Sequence, residues 1–129
     1  MNKLILTVGL PRSGKSTWAL KQGHPVVNRD AIRLALHGQA YIQSAEDMVS
    51  AIEMYMVKSL FLAGHTTVIV DSTHLNQTYV DRWNYGNWDL QTRVFDADRD
   101  VCIERAKADG RLDLIPSIER MAENLLTDL

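Results

Sequence analysis

The sequence contains very little cysteine or proline, with one cysteine and three prolines among 129 residues. A single cysteine, Cys102, excludes a disulfide within the chain and any metal site built from several thiolates. We therefore expect Cys102 to be a small buried hydrophobic residue. Such low cysteine content suits the reducing cytoplasm, which is the expected location of the protein.

Long apolar runs and a strong excess of one charge are also missing. The most apolar stretch, residues 48–64, contains Glu53 and Lys58, so it falls short of the roughly 20 apolar residues that a membrane helix requires. The formal net charge is only -2, from 14 basic and 16 acidic side chains, which does not predict tight non-specific binding to nucleic acid. We expect no membrane association, and any basic groove would have to be created by the fold.

What the sequence does contain is an alternation of strand and helix patterns. Apolar or β-branched runs predict strands at 4–8, 25–28, 66–70 and 91–95. Helical spacing and capping residues predict helices at 13–22, 30–36, 48–62, 78–85, 101–107 and from Pro116 onwards. This order predicts an α/β fold with a parallel sheet of about four to five strands and helices on both faces. In the longest helix, the apolar side chains at 48, 52, 54, 55 and 56 are expected to face the core.

The segment GLPRSGKS at 9–16 matches the phosphate-binding pattern G-x-x-x-x-G-K-[ST] at each fixed position. It stands between a predicted strand and a predicted helix, where backbone N–H groups can converge on a phosphate. Lys15 would add a positive charge at the β- and γ-phosphates, and Ser16 would offer its hydroxyl to Mg²⁺. Arg12 either reaches a phosphate or points into solvent, and Thr17 has an alternative role in helix packing. The predicted ATP-binding residues of this segment are Gly9, Pro11, Arg12, Ser13, Gly14, Lys15, Ser16 and Thr17.

A second group of polar residues follows the short strand at 25–28. Asp30 is expected at the carboxyl end of that strand, beside the phosphate loop, where a carboxylate can orient and deprotonate an acceptor hydroxyl. Its alternative role is to cap the next helix. Arg33 lies three residues later on the same helical face. It either holds an anionic group of the acceptor or remains a solvated surface arginine.

Polar residues also end the strand predicted at 66–70. Asp71 occupies the position from which an acid orders a magnesium-bound water or a basic neighbour, although a turn residue is the alternative. His74 has no second histidine or cysteine at metal-ligand spacing, so we expect it to be a polar turn residue.

A third polar region contains Arg105, Lys107 and Arg111, which surround the segment 108–110, Ala-Asp-Gly. This region forms either a mobile lid, whose cations neutralise the transferred phosphate, or an ordinary solvated loop. Under the first alternative, Arg105 and Arg111 belong to the ATP-binding residues and Arg111 also to the catalytic ones.

Three segments together resemble the kinase domain of phage-type polynucleotide 5′-hydroxyl kinases: ILTVGLPRSGKSTWA, NRDAIR and VIVDSTHLN, in that order. The resemblance covers most of the chain and implies a single P-loop kinase domain over 1–129 that uses ATP and Mg²⁺. It implies transfer of the γ-phosphoryl group to the 5′-hydroxyl of DNA, RNA or a 3′-phosphonucleoside. By this resemblance Asp30 is the acceptor base, Arg33 contacts the acceptor phosphate, and Asp71 supports the acceptor site.

The sequence departs from this family at two places. Gly110 stands where the family often has its lid arginine, so that role falls to Arg111 or Arg105, and His74 replaces the usual asparagine. The chain leaves no room for the 3′-phosphatase domain of the best-known members, so we expect phosphorylation only. The alternative functions are a small-molecule kinase acting on a sugar, nucleoside or similar hydroxyl, and a nucleotide-binding switch without phosphotransfer.

Overall fold

The computed structural model describes residues 1–38, 41–74 and 76–127, with side chains described up to residue 123. Within these ranges the strands are β1 (Asn2–Val8), β2 (Val26–Asn28), β3 (Thr67–Asp71) and β4 (Trp88–Val94). They form one parallel sheet in the order β2-β3-β1-β4. The predicted α/β fold with a parallel sheet is confirmed, at four strands in the described ranges.

Helices connect and cover the strands on both faces of the sheet. The α-helices are α1 (Lys15–Leu20), α2 (Arg29–His37), α3 (Glu46–Leu62), α4 (Gln77–Asp81), α5 (Arg99–Ala108) and α6 (Ile115–Thr127). Short 3₁₀ turns span Gln43–Ala45, Arg82–Tyr85 and Leu112–Leu114. In the described part of the chain, none of these helices has the length and apolar character that crossing a membrane would require.

The two central strands, β1 and β3, are buried because helices cover both sides of the sheet. Leu4 pairs with Val68 and Leu6 with Val70, and all four side chains are fully buried. Since all strands run in the same direction, their carboxyl ends meet at one edge of the sheet. The loops that leave β1, β2 and β3 at this edge carry the polar motifs.

Separate apolar clusters anchor the two groups of helices. One contains Leu6, Val27, Val57 and Trp83 and joins the sheet to α2 and α3. The other joins α5 and α6 to the loop after β1, through Leu10, Cys102, Ala106, Ile118 and Ala122. Cys102 is fully buried and free, so its predicted role as a small hydrophobic residue is confirmed.

The inner face of α3 differs from the prediction. The helix is the longest, as expected, but it buries Val49, Glu53 and Val57, which recur every four residues. Met48, Tyr55 and Met56 are exposed instead of facing the core, whereas Ile52 and Met54 pack against it. Apolar residues surround most of this helix, so their spacing does not identify the side that packs against the sheet.

Leu6→Ala is expected to lower the free energy of unfolding by about 2–5 kcal/mol, because Leu6 is 0% exposed and its removal leaves a cavity in the sheet. The matched control is Leu20→Ala, since Leu20 is 77% exposed, and its effect should stay within about 0.5 kcal/mol. Urea denaturation of both variants measures the difference. Equal effects would contradict the assigned core.

Candidate active site

The loop between β1 and α1 has the shape that its glycines allow. Gly14 has φ 106, a left-handed conformation that glycine adopts without steric cost. A Cβ atom on Gly9 would lie 2.7 Å from Ser13 Oγ and 2.8 Å from the carbonyl oxygen of Phe95. The loop therefore passes so close to the end of β4 that only glycine fits at position 9.

Two buried polar groups of this loop suit the phosphates of a nucleotide. Lys15 is 7% exposed, and its Nζ donates to the carbonyl oxygen of Leu10 at 2.6 Å. Burial lowers the pKa of Lys15, an effect that the nearby Asp71 carboxylate only partly offsets. The Ser13 Oγ is buried and has no hydrogen-bond partner among the described residues. A phosphate oxygen would satisfy both groups, so the loop fits ATP.

The carboxylate of Asp71 joins three chain segments at the edge of the sheet. Its Oδ2 accepts a hydrogen bond from Ser16 Oγ at 2.6 Å and another from Asn28 Nδ2 at 3.0 Å. Its Oδ1 accepts from Thr7 Oγ1 at 3.2 Å. The structure thus brings Asp71, predicted as a substrate-binding residue, into contact with Ser16, the predicted metal ligand. A hydroxyl and a carboxylate in contact are the hard oxygen donors that Mg²⁺ prefers.

Asp30 and Arg33 form an ion pair at the start of α2. Asp30 is not the helix cap, because Asn28 caps α2 by accepting from the Ala31 N–H at 2.9 Å. The carboxylate of Asp30 is 73% exposed, and its Oδ1 accepts from Arg33 Nη1 at 2.7 Å. Its Oδ2 makes no bond within the described ranges, so one oxygen is oriented and the other is available.

Arg33 is held on its other side by Glu46, at the start of α3. Arg33 Nε and Nη2 donate to the two carboxylate oxygens of Glu46 at 2.8 and 3.0 Å. With the bond to Asp30, these contacts use three of the five N–H donors of the guanidinium. As far as the structure describes the chain, one donor on each of Nη1 and Nη2 is left, and a phosphate can accept from both nitrogens of a guanidinium.

A buried group of charges lies behind this arginine. Glu53 Oε1 accepts from Arg29 Nη1 at 3.1 Å and from Arg82 Nη1 at 2.7 Å. Arg29 also pairs with Glu46 at 2.7 Å. These residues are not among the predicted ones, although their spacing contains the signal: Glu46 and Glu53 are seven residues apart, and Arg29 and Arg33 are four apart. Each pair therefore lies on one helical face.

The structure corrects the prediction for His74. It is 6% exposed, where a polar turn residue was expected, and its Nδ1 lies 2.7 Å from the carbonyl oxygen of Thr7. A carbonyl only accepts, so Nδ1 carries the proton. Burial lowers the pKa of His74 more than the bond to Thr7 and the nearby Glu53 charge raise it, so the ring is neutral near pH 7. The bend after β3 brings the ring into contact with Thr7 near the end of β1. The spacing of residues along the chain does not reveal this contact.

The region predicted as a lid contacts the phosphate loop directly. Arg105 Nη1 donates to the carbonyl oxygen of Arg12 at 3.1 Å, and the Arg12 side chain pairs with Asp109 at 3.2 Å. Arg111 is exposed and pairs with Asp113 at 3.0 Å. Arg12 is therefore in contact with the region predicted as a lid and does not point freely into solvent.

One cleft of roughly 1970 Å³ brings most of the predicted residues together. Of the predicted site residues, only Gly9 and Ser13 do not line it. Five acidic side chains line the cleft: Asp30, Glu46, Glu53, Asp71 and Asp109. Nine basic ones also line it: Arg12, Lys15, Lys21, Arg29, Arg33, Arg82, Arg105, Arg111 and Arg120. The fold therefore gathers a local positive excess in a chain whose net charge is -2.

Arg120, which was not predicted as a site residue, lines the cleft from α6. Ser117, Arg120 and Met121 line the cleft, while Ile118 and Ala122 are buried on the other side of the helix. Positions three and four residues apart share a helical face, so the amphipathic pattern of α6 contained the signal. What the pattern could not show is that the polar face of α6 borders the phosphate loop.

Glu46→Gln is expected to destabilise the protein by about 1–3 kcal/mol at pH 7, because hydrogen bonds from two arginines lose their charged acceptor. Burial favours a higher pKa for Glu46, but the bonds and charges of Arg33 and Arg29 outweigh it and lower the pKa. The carboxylate therefore stabilises the fold fully above its ordinary pKa of about 4.3, and this stabilisation is lost as pH falls through the lowered value.

Thermal unfolding of the parent and of Glu46→Gln at several pH values measures this effect. The difference in Tm should be present at pH 7 and shrink below about pH 4. Glu104→Gln is the control, because Glu104 is exposed and its ion pair within the described ranges is with the exposed Lys107 at 3.4 Å. A difference in Tm that is the same at pH 7 and at pH 3.5 would contradict the assigned ion pairs.

Comparison with solved structures shows the same fold in larger chains. One chain in the structure of a Pnkp1/Rnl/Hen1 RNA repair complex matches with a TM-score of 0.78 and 26% sequence identity, over 98% of this chain and 44% of that one. A chain in another Pnkp1/Rnl/Hen1 complex matches with a TM-score of 0.69 and 29% identity, over 81% of this chain and 38% of that one. The chain therefore spans less than half the length of these two solved chains.

A protein-family model described as AAA domain matches residues 4–111, which is more than half of the chain. The match includes the phosphate loop, the Asp30–Arg33 pair and Asp71. It confirms, together with the two structural matches, the P-loop kinase domain that the motifs indicate. The chain therefore belongs to the AAA-domain family, as a P-loop kinase domain that binds a nucleotide.

Proposed function

We propose that the chain is a kinase that uses ATP and Mg²⁺ to phosphorylate the 5′-hydroxyl of a DNA or RNA strand. The observation that carries this proposal is the Asp30–Arg33 ion pair, which shares one cleft with the phosphate loop. A general base and a phosphate-binding fork thus stand next to each other opposite the nucleotide site. We further propose that residues 1–129 act as a single P-loop kinase domain of the cytoplasm.

On the donor side, Lys15 is placed to neutralise the phosphate oxygens of ATP. Its ammonium group already sits in the loop, so little rearrangement is needed when a phosphate replaces the Leu10 carbonyl as its partner. Ser16 and Asp71 would hold Mg²⁺ through their contacting oxygens. When bound, the ion neutralises charge on the phosphate oxygens. Thr17 and Arg12, which also line the cleft, complete the proposed nucleotide site.

On the acceptor side, Asp30 is the proposed general base. Its Oδ1 is fixed by Arg33, and its Oδ2 can accept the proton of the 5′-hydroxyl. The hydroxyl oxygen then bonds to the γ-phosphorus, while the bond from that phosphorus to the β,γ-bridging oxygen breaks and leaves ADP. The two remaining donors of Arg33 would bind the phosphate that follows the terminal nucleoside.

The charge of the cleft supports a polyanionic acceptor. The net positive charge of its lining side chains is larger than the negative charge that remains on ATP once Mg²⁺ is bound. Arg105 and Arg111, on the side of α5 and the following loop, are the proposed lid cations. Arg120 is a further cation at that side of the cleft. The similarity to a chain from an RNA repair complex supports a nucleic-acid acceptor rather than a small alcohol.

Asp30→Asn is expected to abolish transfer of the γ-phosphoryl group to a 5′-hydroxyl oligonucleotide, with kcat lowered about 100-fold or more. The amide keeps the shape of the side chain but accepts no proton. The assay follows labelled phosphate from ATP with Mg²⁺, and nucleotide binding is measured separately by equilibrium titration. Binding of ATP should remain within about twofold of the parent, because Asp30 is placed outside the phosphate loop.

The matched control is Asp100→Asn, since Asp100 is exposed on α5 and does not line the cleft. It should transfer phosphate as the parent does. A parent protein that binds ATP but phosphorylates small alcohols and no oligonucleotide would contradict the proposed acceptor. Full transfer by Asp30→Asn would contradict the proposed base.

A further inference from the structure

One buried carboxylate oxygen in the cleft lacks a hydrogen-bond donor. Glu53 is 1% exposed and lines the cleft. Its Oε1 receives hydrogen bonds from two arginines, Arg29 and Arg82, but its Oε2 is buried and has no partner among the described residues. An unpaired buried carboxylate oxygen is costly and calls for a missing donor.

The charged neighbours do not supply that donor. Arg82 directs Nη1 to Glu53 Oε1 and Nη2 to the Ser50 carbonyl oxygen at 2.7 Å. Arg29 directs Nη2 to the carboxylate of Glu46 at 2.7 Å and to Ser50 Oγ at 2.9 Å. Both guanidinium groups thus bond Oε1 and a second partner, and in the described part of the chain neither donates to Oε2. Oε2 is therefore open to a donor from a molecule bound in the cleft.

His74 adds a second acceptor in the same cleft. Its Nδ1 proton is used by the Thr7 carbonyl, so the other ring nitrogen, Nε2, is an acceptor in the neutral imidazole. Glu53 and His74 line the same cleft. The cleft thus contains two acceptors on side chains that are more than nine-tenths buried.

Glu53 and His74 lie on the side of the cleft where the 5′-hydroxyl substrate is proposed to bind. Arg29, which bonds Glu53, directly precedes Asp30 in the sequence, and through Glu46 it connects to Arg33. Two half-exposed tyrosines, Tyr41 and Tyr79, line the same cleft and offer aromatic faces on which a base can stack. Asp30, Glu53 and the two tyrosines thus line one cleft, in which a nucleoside would bind with its 5′-hydroxyl at Asp30.

We propose that Glu53 Oε2 and His74 form a hydrogen-bond-acceptor subsite that recognises an N–H or O–H donor on the 5′-terminal nucleoside of the acceptor. This inference rests on the proposed polynucleotide kinase function and adds a specificity to it. Two sources of the donor fit the chemistry: the exocyclic amino group of adenine, cytosine or guanine, and the 2′-hydroxyl of ribose. Thymine and uracil have no exocyclic amino group, and their N3–H lies between two carbonyl oxygens that would face the two acceptors unfavourably.

The test compares kcat/KM for oligonucleotides that differ only in the 5′-terminal nucleoside. The set contains the four bases, each with ribose or deoxyribose at that position. The parent should favour donor-bearing ends by about 10- to 100-fold, the range expected for a hydrogen bond to a buried charged group. A preference for amino-bearing bases assigns the donor to the base, and a preference for ribose assigns it to the 2′-hydroxyl.

Glu53→Gln is the decisive variant, because it keeps the shape of the side chain and one oxygen for the two arginines. It replaces the second oxygen by an N–H₂ group, which donates instead of accepting. The preference for donor-bearing ends should disappear or reverse in favour of thymine and uracil. His74→Asn is the second variant, since asparagine tolerates the left-handed backbone at this position, φ 45, and its shorter side chain withdraws the acceptor.

The matched control is Glu46→Gln, which removes a charge from the same group of ion pairs but faces Arg33. This variant should lower kcat/KM for all eight oligonucleotides by the same factor and leave the preference among them unchanged. Equal kcat/KM for all eight ends in the parent, or an unchanged preference in both Glu53→Gln and His74→Asn, would overturn this inference and leave the kinase function intact. Absence of transfer to every oligonucleotide would instead overturn the proposed function and this subsite with it.

Discussion

The hydrogen bonds to the carboxylate of Asp71 are the interaction on which the rest of the site depends. They tie Ser16 of the phosphate loop, Asn28 at the end of β2 and Thr7 of β1 to the end of β3. Asn28 also caps α2, so the same carboxylate fixes the start of the helix that carries Asp30 and Arg33. The phosphate loop and the Asp30–Arg33 pair are thereby built on one buried anchor, at the edge where parallel strands end.

A second constraint is the balance of charge beside that anchor. Three arginines of the cleft are each held by an acid of α3: Glu46 pairs with Arg33, and Glu53 pairs with Arg29 and Arg82. Buried charges of one sign alone would destabilise the fold, whereas paired ones keep fixed positions. Among the described residues, these pairings leave two N–H donors of Arg33 and one carboxylate oxygen of Glu53 without a hydrogen-bond partner. These unused groups give the cleft its proposed ability to recognise an acceptor.

The sequence sufficed for the parts of the fold that local patterns determine. The glycines and Lys15 of the phosphate loop follow a fixed spacing, and β-branched runs marked the buried strands because such strands have few polar positions. The inner face of α3 and the burial of His74 could not be predicted, because both depend on which surfaces meet in three dimensions. Arg120 and Glu53 were not predicted for the same reason. A charged residue on a helix is expected to face solvent until the surfaces around it are known. The basic cleft likewise arises only when distant arginines are brought together.

The most direct test of this account is the effect of Asp71→Asn on steady-state kinetics with ATP and the oligonucleotide varied in turn. Because Asp71 anchors both sides, the variant should lower kcat and raise the KM of both substrates, with a combined loss of about 10- to 100-fold or more. Its Tm, compared with that of Asp100→Asn, shows whether the fold is kept. A change confined to the KM of ATP, or no change in either KM, would contradict the claim that one carboxylate holds both halves of the cleft.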